Sequence, residues 1–190
     1  MQLPKIKANV IMADPAWNQK KWSAKGDEGR PQHYDRMTLK QICDMPISEC
    51  AEKDCHLFLW TTSPHLEQAF TVIRAWGFRY SSVAFTWIKL NPKAPTLFFT
   101  QKDLHLGQGY TTRKNAEFCL LGRRGSPKRL DKGVHEVIIS PRREHSRKPD
   151  EAYDRIERYT HGPYLELFSR QNRKNWETWG NETGKFDGKI

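Results

Sequence analysis

Asn9-Val10-Ile11-Met12-Ala13 runs directly into Asp14-Pro15-Ala16-Trp17. The first stretch is short and apolar and reads as a strand. The second reads as the turn at its C-terminal end, where open α/β sheets hold their ligands. That turn brings together a carboxylate, a stiff proline and a large aromatic face. Asp14 and the Pro15 carbonyl can both accept hydrogen bonds from an amino group while Trp17 stacks on a ring, which suits a flat base bearing an amino group. Asp and Pro are also ordinary turn formers, so these four residues alone do not separate a binding site from a plain loop.

Outward from this strand, helices and strands alternate. A polar loop runs to Met37, and a short helix from Thr38 must end before Pro46. His56-Leu57-Phe58-Leu59-Trp60 is continuously apolar and reads as a buried strand. Ser63 caps and Pro64 opens a helix with Leu66, Ala69, Phe70, Ile73 and Trp76 on one face, and Gly77 stops it. Phe78 to Ile88 is rich in aromatic and branched residues and reads as β. Further strands are expected at Glu117 to Leu121, Val134 to Ile139 and Leu165 to Phe168. A second helix is expected from Pro149 to about Tyr159, with Ala152, Ile156 and Tyr159 inward. This alternation predicts a three-layer α/β sheet with helices on both faces. Leu90 to Lys114 and Arg123 to Lys132 interrupt it and read as functional loops. The tail after Asn181 is expected to fray.

With 190 residues, the chain is expected to form one domain over 1–190, enough to bury about 70% of its unfolded surface. Cys43, Cys50, Cys55 and Cys119 form no Cys-x-x-Cys pair, so buried free thiols are expected rather than a disulfide or a metal site. The N-terminus lacks a signal-like apolar stretch and no run approaches the ~18 residues of a membrane span. A soluble, cytoplasmic protein is therefore expected. Gly107-Gln108-Gly109 is a lone bend, and no Gly-x-x-x-x-Gly-Lys-Ser/Thr is present, which argues against an ATPase.

The net charge is +10, which points to a polyanionic partner, nucleic acid before membrane. From Arg123 to Lys148 there are nine Lys or Arg against Asp131, Glu136 and Glu144. A second cluster, Lys20, Lys21, Lys25 and Arg30, follows the Asp-Pro-Ala-Trp turn. Both are interleaved with Trp22, Tyr34 and Tyr110, a mixture suited to phosphates and bases. No basic amphipathic helix supports the membrane alternative.

Ala13-Asp14-Pro15-Ala16-Trp17, Leu57-Phe58-Leu59-Trp60, Trp87-Ile88-Lys89, Glu117-Phe118-Cys119-Leu120-Leu121-Gly122, Arg143 to Glu151, Glu166-Leu167-Phe168 and Trp179-Gly180-Asn181-Glu182 occur in the order of the MT-A70 adenine-N6 methyltransferases. The chain resembles that family from about Ala8 to Glu182. The resemblance implies a Rossmann-like methyltransferase fold with the catalytic motif ahead of the cofactor segments. It also implies S-adenosylmethionine as cofactor, S-adenosylhomocysteine as product, and no metal.

By the same resemblance Asp14, Pro15 and Trp17 are catalytic, and Ala16 replaces the family's second proline, which leaves the stiffness of the loop open. Lys148 is implied as partner of the methionine carboxylate, with Ser146 beside it. Phe168, Arg170, Asn181 and Glu182 are implied for the rest of the cofactor. A lysine at a helix N-terminus is electrostatically misplaced unless an anion sits there, which favours this role for Lys148. Glu117 falls at a position lining the adenosine pocket, and Tyr34, Arg143, His145 and Ser146 in gating loops, while Lys89, after a β-like run, reads either as a pocket residue or as a strand end pointing to solvent. Arg113, Lys114, Arg123 and Arg124 are expected to track phosphates.

DNA is favoured as substrate because the basic loops belong to one small catalytic domain without an appended RNA-binding module. RNA methylation and an inactive nucleic-acid-binding relative remain open, as do a homodimer and a partner subunit.

Overall fold

A computed structural model of the chain describes residues 2–18, 36–107, 111–144 and 146–188. The first apolar run is strand β1, Ala8–Ala13. Val10 and Met12 enter one core cluster, and Ile11 and Ala13 enter the other. A strand buried on both faces has no polar side, which is why its sequence shows no alternation. β2, Ala51–Thr61, lies parallel to β1, with Ile11 opposite Leu57 and Ala13 opposite Leu59.

The remaining strands are β3, Arg79–Leu90, β4, Ala116–Arg124, β5, Val137–Pro141, β6, Tyr164–Leu167, and β7, Trp176–Trp179. They form one seven-stranded sheet in the order β5-β3-β4-β2-β1-β6-β7. Only β4 runs against the others. The C-terminal ends of β1, β2, β3, β5, β6 and β7, together with the start of β4, therefore share one edge. β1 sits between β2 and β6. Beyond Ala13 the connection from β1 leads on to β2 and that from β6 to β7, so the chain parts between these two neighbours and opens a crevice.

Three α-helices cover the sheet among the described residues. α1, Leu39–Cys43, is opened by a capping box in which Gln41 N–H donates to the Thr38 hydroxyl and Thr38 N–H to the Gln41 side chain. α2, Leu66–Ala75, buries Ala69, Val72 and Ile73. Gly77 ends this segment at φ +82, a backbone that glycine adopts without penalty. Both helices pack on the cluster containing Ile11 and Leu57. α3, Asp150–Tyr159, places Ala152, Tyr153 and Ile156 on the opposite cluster, with Phe58 and Trp60. The expected three layers are present.

Several boundaries differ from those expected. Ser63 does not cap α2, because Ser63–His65 forms a separate 3-10 turn and α2 begins behind His65 without a side-chain cap. β5 begins at Val137, three residues late, where pairing with β3 starts. β4 continues through Arg123 and Arg124, which pair with His56 and Cys55 of β2, Arg123 also standing opposite Arg79 at the start of β3. Those two arginines thus lie at the edge of the sheet away from Asp14, so the basic run Arg123 to Lys148 is divided between two ends of the molecule. β7 was not anticipated. Among the described residues the tail expected to fray is docked as far as Asp187: Asn172 bonds the Asp187 carboxylate through its backbone and side-chain amides, at 2.8 and 2.7 Å, and Phe186 is buried.

Cys50, Cys55 and Cys119 are buried, and all four cysteines are free. Burial pushes the Cys55 thiol up to about 12, so it behaves as a small apolar side chain. No described helix is long and apolar enough to cross a membrane.

Candidate active site

Asp14 follows the last residue of β1, at the crevice edge. Its Oδ2 accepts from the Lys148 ammonium at 2.6 Å and from the Ser146 hydroxyl at 3.3 Å. Neither bond uses Oδ1, and Asp14 lines the adjoining cleft. Ser146 has φ +67, a strained conformation for a residue other than glycine, and it stands where its hydroxyl meets the carboxylate. The turn after Asp14 is pinned by backbone bonds. Trp17 N–H donates to the Pro15 carbonyl at 2.8 Å and Met37 N–H to the Ala16 carbonyl at 3.0 Å. These bonds restrain the loop at the position where Ala16 stands in place of a second proline. The Pro15 carbonyl keeps one lone pair for a further donor.

The indole of Trp17 is fixed from two sides. Its N–H donates to the Trp60 carbonyl at 3.1 Å, and the His65 ring stacks on it with centroids 5.6 Å apart. Trp17 is 8% exposed, so it forms a wall of the site rather than an open platform. Burial holds the His65 imidazole below its ordinary range, hence neutral.

Lys148 lies ahead of α3 and is buried. Its ammonium contacts Asp14 and, at 3.1 Å, Glu117 Oε2, and lies 5.5 Å from the Trp60 ring centre. Glu117 Oε1 pairs with Lys89, which also stands over the Trp87 ring. Burial favours the neutral form of both Lys148 and Glu117, but their opposed charges prevail. Lys148 is raised by Asp14 and Glu117, and Glu117 is held at about 2 by Lys148 and Lys89. The anions expected beside Lys148 are therefore residues of the chain itself. Lysine, aspartate and glutamate come from three separate segments and meet only because the end of β1 and the start of antiparallel β4 share one edge of the sheet.

On the other side of Asp14 is a cleft of about 350 Å³, lined by Asp14, Ala16, Met37, Phe168, Ser169, Arg170, Trp179, Gly180, Asn181 and Glu182. Four of the expected cofactor residues are among them. Phe168 follows β6 at φ +63 and meets Trp179 edge-on, 5.8 Å between centroids. Arg170 Nε lies 3.1 Å from Glu182 Oε2, and Lys185 pairs with the other oxygen of that carboxylate. A Cβ on Gly180 would lie 2.6 Å from the Ser169 carbonyl and 2.7 Å from its nitrogen, so only glycine lets β7 close against the end of β6.

Other candidates are placed differently. Arg143 donates to Asp150 Oδ2 at 2.6 Å and to the Lys148 carbonyl at 2.9 Å. Arg173 holds the second Asp150 oxygen at 2.5 Å. Arg143 therefore fixes the segment carrying Lys148. Arg113 is exposed, and Lys114 donates to Thr112 on the loop before β4. Tyr34 and His145 lie outside the described residues, as do Lys20, Lys21, Trp22, Lys25, Arg30 and Tyr110. Trp60, His65, Met37 and Ser169 were missed as site residues. Three of them are apolar or aromatic and look like core in a linear sequence, and no periodic signal marks them. Trp179 and Gly180 belong to the motif Trp179-Gly180-Asn181-Glu182, but no sequence pattern marks the strand that gives them a place in the cleft.

The MT-A70 family model matches residues 8–182. The chain is similar to the type II methyltransferase M.MunI of a Mycoplasma species, 29% identical over 95% of this chain and 80% of that protein. It is similar also to the N(6)-adenosine-methyltransferase MT-A70-like protein of Drosophila melanogaster, 30% identical over 91% of this chain and 26% of that protein. The catalytic subunit METTL3 of the Homo sapiens N(6)-adenosine-methyltransferase is likewise 30% identical, over 91% of this chain and 28% of its own length. The chain thus spans most of the first relative and about a quarter of the other two.

Proposed function

The chain belongs to the MT-A70 family of adenine-N6 methyltransferases, and from that premise we propose that it transfers the methyl group of S-adenosylmethionine to the N6 amino group of adenine in DNA. The observation that carries the reading is Asp14, held by Lys148 and Ser146 through one oxygen while lining the cleft. The cleft suits the cofactor: Phe168 and Trp179 offer aromatic surface to a purine, while Asn181 and Glu182 offer acceptors to ribose hydroxyls. In this reading Phe168, Arg170, Asn181 and Glu182 hold the nucleoside end. Lys148, with one of its three donors left, and Ser146 stand towards the methionine end. The bound cofactor supplies an electrophilic methyl group.

The chain's residues act on the acceptor. The amino nitrogen of adenine is a poor nucleophile, because its lone pair is delocalised into the ring. Accepting its two hydrogens on Asp14 and the Pro15 carbonyl localises that pair on nitrogen. The Asp14 carboxylate also stabilises the positive charge that nitrogen gains on methylation and is the base positioned to take its proton. Lys148 and Ser146 keep the carboxylate from turning, which supplies orientation before reaction. Glu117, kept anionic, can only accept hydrogen bonds from the nucleoside, with Lys89 and Lys148 fixing its direction. Trp17, immobilised by Trp60 and His65, bounds the base.

DNA is favoured by the type II methyltransferase M.MunI, of whose length this chain covers 80%, whereas the adenosine methyltransferases named above are matched over one part only. The test is incubation with methyl-labelled cofactor and, separately, duplex DNA, single-stranded DNA or RNA, followed by nucleoside mass spectrometry. N6-methyladenine from DNA that vanishes with Asp14→Ala is expected. Product from RNA alone would move the substrate to RNA. Cofactor binding without product on any substrate would point to a missing partner subunit.

A further inference from the structure

The sheet edge that carries Asp14 also carries an apolar projection that methyl transfer does not use. The connection from β3 to β4, residues 91–115, leaves the sheet at that edge, and its feet are tied to the site. Lys89 at its start pairs with Glu117 at its end, and Glu117 contacts Lys148, the partner of Asp14. The connection is internally bonded. Asn91 N–H donates to the Asp103 carbonyl and His105 N–H to the Lys89 carbonyl, each at 2.8 Å, and Gly107 pairs with Lys114. A capping box at Thr100 and Asp103 closes a short 3-10 turn. These bonds frame residues 95–99 from both sides. There, Leu97 and Phe98 are 84% and 87% exposed, more than any other large hydrophobic among the described residues.

Two adjacent apolar side chains this exposed call for a partner that covers them. On either side of them in sequence the same connection carries Lys93, Lys102, Arg113 and Lys114, a basic rim. Its one acid, Asp103, has its carboxylate bonded by Thr100. A second copy of a chain with net charge +10 would bring like charge against this rim. A polyanion with an apolar interior matches both features, phosphates against the rim and stacked bases against the tip.

We propose that Leu97 and Phe98 form a wedge that enters the base stack of duplex DNA as the target adenine leaves it, while the surrounding cations hold flanking phosphates. The proposal rests on the DNA reading above. A base reaching Asp14 must be outside the helix, and an inserted aromatic and aliphatic pair keeps the gap from closing behind it. Once the strand is single, no gap exists and the wedge has nothing to do.

That contrast gives the test. Wild type and a Leu97→Ser, Phe98→Ser double variant are assayed on sheared genomic DNA of mixed sequence, native and heat-denatured, with the oligomeric state of each followed by light scattering. The variant is expected to lose at least ~10-fold in kcat/KM on native DNA and to stay within about twofold on denatured DNA. Activity on denatured DNA also reports that the variant is folded. Equal activity on both substrates, or an equal loss on both, overturns the wedge. A change of oligomeric state with that equal loss assigns the tip to a second copy instead. Wild type that methylates neither DNA form but does methylate RNA removes the DNA reading itself, and the wedge with it.

Discussion

Lys148 joins Asp14, Glu117 and the Trp60 ring in one buried contact set. Without its ammonium two carboxylates would face each other with one cation, Lys89, beside the farther of them. Breaking a buried ionic group by removing one partner costs about 3–5 kcal/mol. Lys148→Met is expected to lower the unfolding free energy by that order in urea titration at pH 7, and to abolish methylation. A loss under ~1 kcal/mol would mean that water already solvates the carboxylates. Asp14 and Trp17 were legible in the sequence because their chemistry is local to one turn. Lys148 was legible as a charge out of place ahead of a helix. Its partners were not, because Asp14 and Glu117 are 134 and 31 residues away from it along the chain, and only the sheet brings them together.

Between elements, the closest fit is where β7 meets the end of β6. Ser169 N–H donates to the Trp179 carbonyl at 3.0 Å, and Gly180 then packs on the Ser169 backbone with no room for a methyl group. Gly180→Ala must separate the two strand ends, at about 1–3 kcal/mol of overpacking, and in doing so widens the cleft at Phe168 and Asn181. Weaker S-adenosylhomocysteine binding by calorimetry and a lower melting temperature are expected together, whereas Glu177→Ala, exposed on the same strand, should change neither. Unchanged binding in Gly180→Ala would place the cofactor elsewhere. The long elements were legible from period and length: β1, the core of β2, α2 and α3 stand close to where the pattern predicts. β7 has only four residues, Trp176–Trp179, with no apolar run, and its strand character comes from pairing with β6. The extension of β4 through Arg123 and Arg124 has the same origin. Two arginines look like loop until β2 and β3 are seen on either side.

Across the whole molecule, two buried groups give global stability opposite slopes with pH. Burial raises Glu166 to about 7, with Tyr153 donating to it at 2.8 Å, so the folded chain keeps a proton that the unfolded chain releases near 4.5. Its contribution is complete below about 4.5 and is lost as pH rises through about 7, on the order of 3 kcal/mol. His56, lowered to about 4 by burial and by Arg123, acts the other way, contributing above about 6.5 and losing it as pH falls. Glu166→Gln should therefore be more stable relative to wild type at pH 8 than at pH 5 in matched urea titrations, since the comparison cancels His56. A difference independent of pH would show that Glu166 is ionised in the folded protein. What the sequence by itself determined is the set of layers, the strand bearing Asp14, the basic character and the family resemblance. Each is carried by contiguous residues whose periodicity or chemistry is readable locally. Only the tertiary structure decided which charges share a site. Strand order and direction divide the basic run between two ends of the sheet and join Lys148 to Asp14 and Glu117. They also bring the tip at Leu97 and Phe98 to the catalytic edge, because pairing between distant strands is not written in any one of them.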